Sequence, residues 1–208
     1  MSKKYVALTF DDGPRAPMIE MVDKFTAFGG HATFLVCGSL INDQNEARMR
    51  HAIEAGCELG GHSYYHTSLN KIEDPAIIES NLRAPYDIVK ARYNYDMNVT
   101  RLPNHATNDL VYEVAQKLGI PLIGTGMNGA CDWNPEVPAE EIAPKVIASA
   151  YDGGICCLHV NERTCKALDT ILPTLKEQGY EFVTVSELFK IKNFDPPYFE
   201  QIKGTTKL

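Results

Sequence analysis

The sequence predicts an α/β protein built on a parallel sheet, and two observations carry that reading. Short apolar runs of strand length alternate with longer amphipathic stretches along most of the chain. Many of the amphipathic stretches end beside a glycine, at Gly29, Gly56, Gly119, Gly153 and Gly179, the residue favoured just past a helix C-terminus. About seven βα units fit the 208 residues, which leaves a barrel or a doubly wound sheet. Either architecture gathers functional groups at the carboxyl ends of its strands.

The first strand is expected at Tyr5–Phe10, an apolar run closed by Asp11-Asp12-Gly13-Pro14. A helix over Pro17–Phe28 leads to a second strand, Ala32–Val36, and a helix over Asn45–Ala55 to a third, Glu58–Gly61. Asp74-Pro75 reads as a helix start, with proline in the first turn, and opens Pro75–Tyr93. Val99–Arg101 is the fourth strand candidate, Asn108–Leu118 the next helix and Pro121–Gly124 the fifth strand candidate. Pro138-Ala139-Glu140-Glu141 combines proline with acids at a helix N-terminus, and so opens Ala139–Ala150. Gly154–His159 is the sixth strand, followed by a helix over Thr164–Gln178, a strand at Glu181–Thr184 and a helix at Val185–Lys190. Residues 1–192 are therefore read as one domain and 193–208 as an irregular tail.

Hydrophobic residues make up 44% and charged residues 23%, the balance of a water-soluble globular chain. No apolar run approaches the roughly 20 residues of a membrane span, so no membrane insertion is expected. A net charge of −7 argues against nucleic acid, which wants a basic stripe. The N-terminus lacks a signal-peptide core of about 7–15 apolar residues. Either the protein stays in the cytoplasm, or this is a domain of a longer chain exported to the cell envelope or secreted. The six cysteines include no C-x-x-C pair, which favours free thiols over a disulfide framework. Cys156 and Cys157 are adjacent in a strand-like run and should face opposite ways.

Chemistry-bearing residues recur at the predicted strand ends: Asp11 and Asp12, then His62 and His66, then Arg101 to Asn104, and later His159. His62 and His66 are four apart, so one helical turn would place both imidazoles on one face, able to grip one metal ion. They could equally be two surface or core histidines. A catalytic site needs a third ligand, and either Asp11 or Asp12 could supply it. Two adjacent carboxylates repel each other, and a bound cation relieves that repulsion. An Asp-Asp-Gly-Pro turn, with carboxylates capping backbone amides, is the competing explanation.

In this order, "ALTFDDGP", "HATFLVCG", "GHSYYHTSL", "RLP", "DW" and the late strand-end histidine resemble the polysaccharide deacetylase family, carbohydrate esterase family four. The resemblance spans about Tyr5 to Leu188. It implies a single-domain, distorted (β/α)7–8 barrel that removes acetyl groups from N- or O-acetylated sugars. It places Asp12, His62 and His66 as ligands of a divalent ion, Zn2+ first and Co2+ as an alternative. It makes Asp11 the catalytic base, Arg101 the residue orienting that base and His159 the general acid. The backbone N–H of Asn104 would stabilise the oxyanion, Ser63 would hydrogen-bond beside the ligands, and Trp133 with Asp132 would line the sugar groove.

The sequence departs from the family at three places. Asn104 stands where an aromatic residue is usual. Gly129 stands where an acid often tethers the arginine, with Asn128 or Asp132 as possible substitutes. Cys157 replaces a leucine two residues before the acid histidine. The expected partner is an acetylated glycan acted on by a monomer, peptidoglycan N-acetylglucosamine first. Acetylxylan and chitooligosaccharides are the alternatives, and a sugar-binding module without catalysis is the alternative of another class.

Overall fold

The computed structural model describes residues 3–195. Five parallel strands form the continuous wall: β1 (Lys4–Gly13), β2 (Thr33–Val36), β3 (Glu58–Gly61), β4 (Gly154–His159) and β5 (Tyr180–Phe182). The order is β3-β2-β1-β4, with β5 paired to the first residues of β1. Among the described residues seven α-helices pack around them: α1 (Met18–Ala27), α2 (Glu46–Glu54), α3 (Pro75–Tyr93), α4 (Asp109–Leu118), α5 (Ala139–Ala148), α6 (Glu162–Glu177) and α7 (Val185–Lys192).

The strands expected at Val99–Arg101 and Pro121–Gly124 shrink to single bridges. Thr100 bridges Gly61 on one side and Leu122 on the other, and Met127 bridges Cys156. These bridges carry the wall round from β3 to β4, giving a distorted (β/α) barrel whose closing side is barely laddered. The last strand also shifts, to Tyr180–Phe182, because Thr184 is used as the cap of α7 with Glu187 completing the capping box.

Local chemistry explains the helix starts. Asp74, Asn108 and Asn161 each accept a backbone N–H of the first turn, from Ala76, Val111 and Thr164 respectively. Asn161 thereby begins α6 two residues earlier than expected. Gly119 ends α4 at φ 67°, a left-handed conformation without a Cβ penalty. At the other boundary, Asn193 caps α7 in the left-handed region, and Phe194 packs with a tilted ring against Phe189. Of the expected tail, 196–208 lie outside the described residues.

Alternation along β1 separates two environments. Val6, Leu8 and Phe10 pack outward beneath the helices, where Phe10 meets Phe34 at 5.4 Å and Phe25 at 5.8 Å between ring centroids. Each such buried ring contributes about 1.5–3 kcal/mol. Ala7 belongs to a separate cluster with Leu35, Val99, Ile123 and Ile155, closed by Val185, Leu188 and Phe189 of α7. Further along the Ala7 face come Thr9 and Asp11. The barrel interior is thus apolar at one end and polar at the strand C-termini, where the candidate residues sit. No helix among the described residues is long and apolar enough to cross a membrane.

Candidate active site

The acidic pair occupies a bulge, not a plain turn. Phe10 pairs with Phe34 and Gly13 with Val36, so Asp11 and Asp12 together oppose Leu35 alone. Asp12 takes φ 66°, and the bulge sends the two carboxylates to different partners. Asp11 is buried against Arg101, whose Nη1 donates to Asp11 Oδ1 at 2.9 Å and to Thr9 Oγ1 at 2.6 Å. Arg101 Nη2 donates to the Gly124 carbonyl at 3.0 Å, and its side chain is 0% exposed. Burial would raise the Asp11 carboxyl, but Arg101, His62 and His159 overcome it and hold the group well below the usual carboxylate range.

Asp12 Oδ1 lies 3.5 Å from His62 Nε2 and 3.2 Å from His66 Nε2. No helical turn joins the two histidines. Left-handed residues at Ser63 (φ 57°) and His66 (φ 58°) fold the loop back instead, leaving the imidazole centroids 5.1 Å apart. Such conformations cost about 1–3 kcal/mol each and persist where surrounding contacts fix them. Here Gly38 N–H donates to the Ser63 carbonyl and Thr67 N–H to Ser63 Oγ, so buried Ser63 holds the loop from both sides.

One carboxylate and two imidazoles within 4.8 Å form a group that can hold a metal ion. Two further features fit that ion. Asp12 Oδ1 and His62 Nε2 are buried without a hydrogen-bond partner. His62 Nδ1 donates to the Arg101 carbonyl at 2.8 Å, which fixes the tautomer and leaves Nε2 with a free lone pair. Nitrogen and oxygen donors of this kind suit a divalent transition ion.

Across β1, His159 is the register partner of Asp11. Asp132 is 1% exposed on its side chain and both its oxygens serve the His159 region. Oδ1 accepts from His159 Nδ1 at 2.7 Å, and Oδ2 from His159 N–H at 2.7 Å and from Thr164 Oγ1. Burial disfavours the imidazolium, but Asp132, with Asp11 and Asp12, raises its pKa above the ordinary value. Asp132 lines the pocket beside Trp133, and its buried carboxylate also holds His159. It is no tether for Arg101, nor is Asn128, because Thr9 and Gly124 fill that role. An acid at Gly129 is sterically barred: a Cβ there would fall 1.9 Å from the Cys157 carbonyl oxygen.

A pocket of about 640 Å³ brings these groups together, with Asp11, Asp12, His62, His66, Asn104 and His159 in its lining. Trp133 lines the same pocket and is 64% exposed. Asn104 sits at φ 56°, its side chain donating to Ser68 Oγ at 2.9 Å. Cys157, standing where the family has leucine, is part of the pocket wall, and His105, next to Asn104, and Cys131 also reach the pocket. The Thr9 contact had a usable signal: it stands two residues before Asp11, on the same strand face. All six cysteines are free, and Cys156 and Cys157 face opposite ways, as expected.

A barrel with one acid and two imidazoles converging at its strand ends is the architecture that the motif resemblance implies. Comparison with known proteins agrees, since the family model for polysaccharide deacetylase matches residues 1–123. The chain belongs to the polysaccharide deacetylase family. The bifunctional xylanase/deacetylase of Pseudobutyrivibrio xylanivorans is 33% identical over 198 residues, covering 94% of this chain and 32% of that protein. The peptidoglycan-N-acetylglucosamine deacetylase PgdA of Listeria monocytogenes is also 33% identical, over 96% of this chain and 42% of its own length. The chain therefore spans less than half of either relative. Among solved structures, a family 4 acetyl xylan esterase from Clostridium thermocellum, in complex with a cobalt ion, matches with a TM-score of 0.86. It is 32% identical over 98% of each chain.

Proposed function

We propose that this chain is a divalent-metal-dependent deacetylase that hydrolyses the N-acetyl group of N-acetylglucosamine residues in a glycan, peptidoglycan first. The observation that carries the reading is the placement of a buried, Arg101-paired Asp11 between the Asp12–His62–His66 donors and the Asp132-bound His159. A bare binding module needs neither a base nor an acid so held.

Asp12, His62 and His66 would hold the ion, zinc first and cobalt as an alternative. When bound, a divalent ion supplies Lewis acidity that polarises an acetyl oxygen and makes water more acidic. Asp11 accepts the proton of the water that attacks the acetyl carbon. Arg101 keeps Asp11 ionised and aims it. The Asn104 backbone N–H donates to the carbonyl oxygen as negative charge grows there; one such donor is worth about 2.7–4 kcal/mol. The carbon–nitrogen bond then breaks, and His159 Nε2 gives its proton to the departing nitrogen. Acetate and a free amine result. Trp133 offers a ring face to a sugar at the pocket mouth.

The substrate would lie in the cell envelope, with the protein acting there as a monomer. The acetyl xylan esterase match favours a second reading, hydrolysis of O-acetyl esters on xylan. Acetate release from peptidoglycan fragments, chitin oligomers and acetylated xylan, before and after chelation and with zinc or cobalt restored, decides between them. Full activity after complete chelation would remove the metal reading. Preference for xylan would transfer the substrate to the ester.

A further inference from the structure

Asp11, Cys157 and His159 each offer a ligand atom, and the three atoms lie within 4.8 Å of one another. This second group shares no residue with Asp12, His62 and His66. It is built on two adjacent strands: Thr9 pairs with Cys157 and Asp11 with His159, so all three side chains rise from the inward face of a rigid ladder. Cys157 Sγ stands 3.3 Å from Asp11 Oδ2. Two ligand atoms sharing a tetrahedral zinc-type ion are about 3.5 Å apart, from bonds of about 2.0–2.3 Å. Asp132 binds Nδ1 of His159, which leaves Nε2 for the pocket. The pocket is lined by all three residues.

We propose that Cys157, Asp11 and His159 form a second, thiophilic cation site, and that a soft or borderline divalent ion such as Cd2+ or excess Zn2+ binds there. The donors are one sulfur, one nitrogen and one oxygen, a set that selects such ions over Mg2+ or Ca2+. Binding replaces the thiol proton, which leaves to solvent, and requires neutral His159. The buried Cys157 thiol holds its proton strongly, as burial and Asp11 push it upward, so the ion must displace it. An ion at this site occupies both Asp11 and His159. Inhibition of acetate release follows from the roles proposed above for those residues; binding itself depends only on the donors.

The test uses the full chain already loaded with cobalt, titrated with Cd2+ and followed by ultraviolet absorption. Only a sulfur-bound cadmium gives a sulfur-to-metal charge-transfer band, so an ion at the Asp12 site is silent. The expected result is a saturable band that survives Cys131→Ser and is lost in Cys157→Ser, with the cobalt spectrum unchanged. His159→Gln should weaken the midpoint by at least about tenfold, since even residues one shell out from a metal cost 10–100-fold. Should Cys157→Ser lose its fold, the His159→Gln midpoint decides alone. No band at saturating cadmium, a band that follows Cys131, or a midpoint indifferent to His159 overturns the proposal. A normal band without loss of acetate release leaves the cation site standing and overturns the catalytic roles instead.

Discussion

Replacing Asp132 with asparagine tests how His159 is kept protonated. The carboxylate accepts two 2.7 Å hydrogen bonds from His159, one of them from the ring. A hydrogen bond to a charged group contributes about 1.5–3 kcal/mol. About 1.4 kcal/mol moves a pKa by one unit, so Asp132→Asn should lower that of His159 by about one to two units. Burial, the largest influence on the ring, then acts with little opposition. The amide also presents an NH2 group where a donor already stands, so one bond becomes a clash of donors. The assay is the pH dependence of acetate release from an N-acetyl substrate by metal-loaded protein. The basic limb should move to lower pH by that amount, and the rate above it should fall about 10- to 100-fold. An O-acetyl ester, with its better leaving group, should lose less. A basic limb that stays in place, or equal losses on amide and ester, would refute the reasoning. Stability supplies a second check. The folded pKa of His159 is raised above its ordinary 6.5, so its contribution is fully present below that value. It is lost as pH rises through the folded value. The variant should therefore lose more stability in acid than in alkali.

Three further outcomes are expected. Asp11→Asn should abolish acetate release yet keep the ion in calorimetric titration; loss of the ion as well would exchange the roles given to Asp11 and Asp12. Arg101→Met strands a buried carboxylate and should cost about 3–5 kcal/mol in denaturant unfolding, whereas a change under about 1 kcal/mol would contradict the burial of the pair. Gly129→Ala forces a methyl against the Cys157 carbonyl and should cost about 1–3 kcal/mol by the same measurement, with no loss expected if the loop simply moves aside.

Sequence reached furthest where local pattern and chemistry agree. The first three strands, the starts of α3 and α4 and the meeting of His62 and His66 with a carboxylate were legible because strand ends and motif spacing are local signals, while the choice of Asp12 over Asp11 came from the motif resemblance. Val99–Arg101, with two β-branched residues, and apolar Pro121–Gly124 looked like strands, but a ladder depends on what lies alongside, and only Thr100 and Leu122 find bridges. The Asp132–His159 pair was invisible for a related reason. The two residues are far apart in sequence, and a carboxylate beside a tryptophan reads naturally as a groove residue. Four-residue spacing would bring His62 and His66 together through one helical turn; two left-handed residues achieve the same meeting by another path. Gly129 could be seen as a departure, but not that a backbone carbonyl fills the space of its missing side chain.

The bond from Arg101 to Thr9 and Asp11 spans the barrel, from the thinly bridged segment to the central strand. On its own side Arg101 is anchored to neighbouring segments by its N–H, which donates to the Gly61 carbonyl, by its carbonyl, which accepts from His62 Nδ1, and by Nη2, which donates to the Gly124 carbonyl. In the proposed mechanism, aiming the base and closing the cylinder are thus one act performed by one guanidinium. Selection cannot tune the first without disturbing the second. Change in this lineage is expected to accumulate at the rim, in positions such as Asn104 and Trp133, where reshaping the mouth leaves the hoop intact.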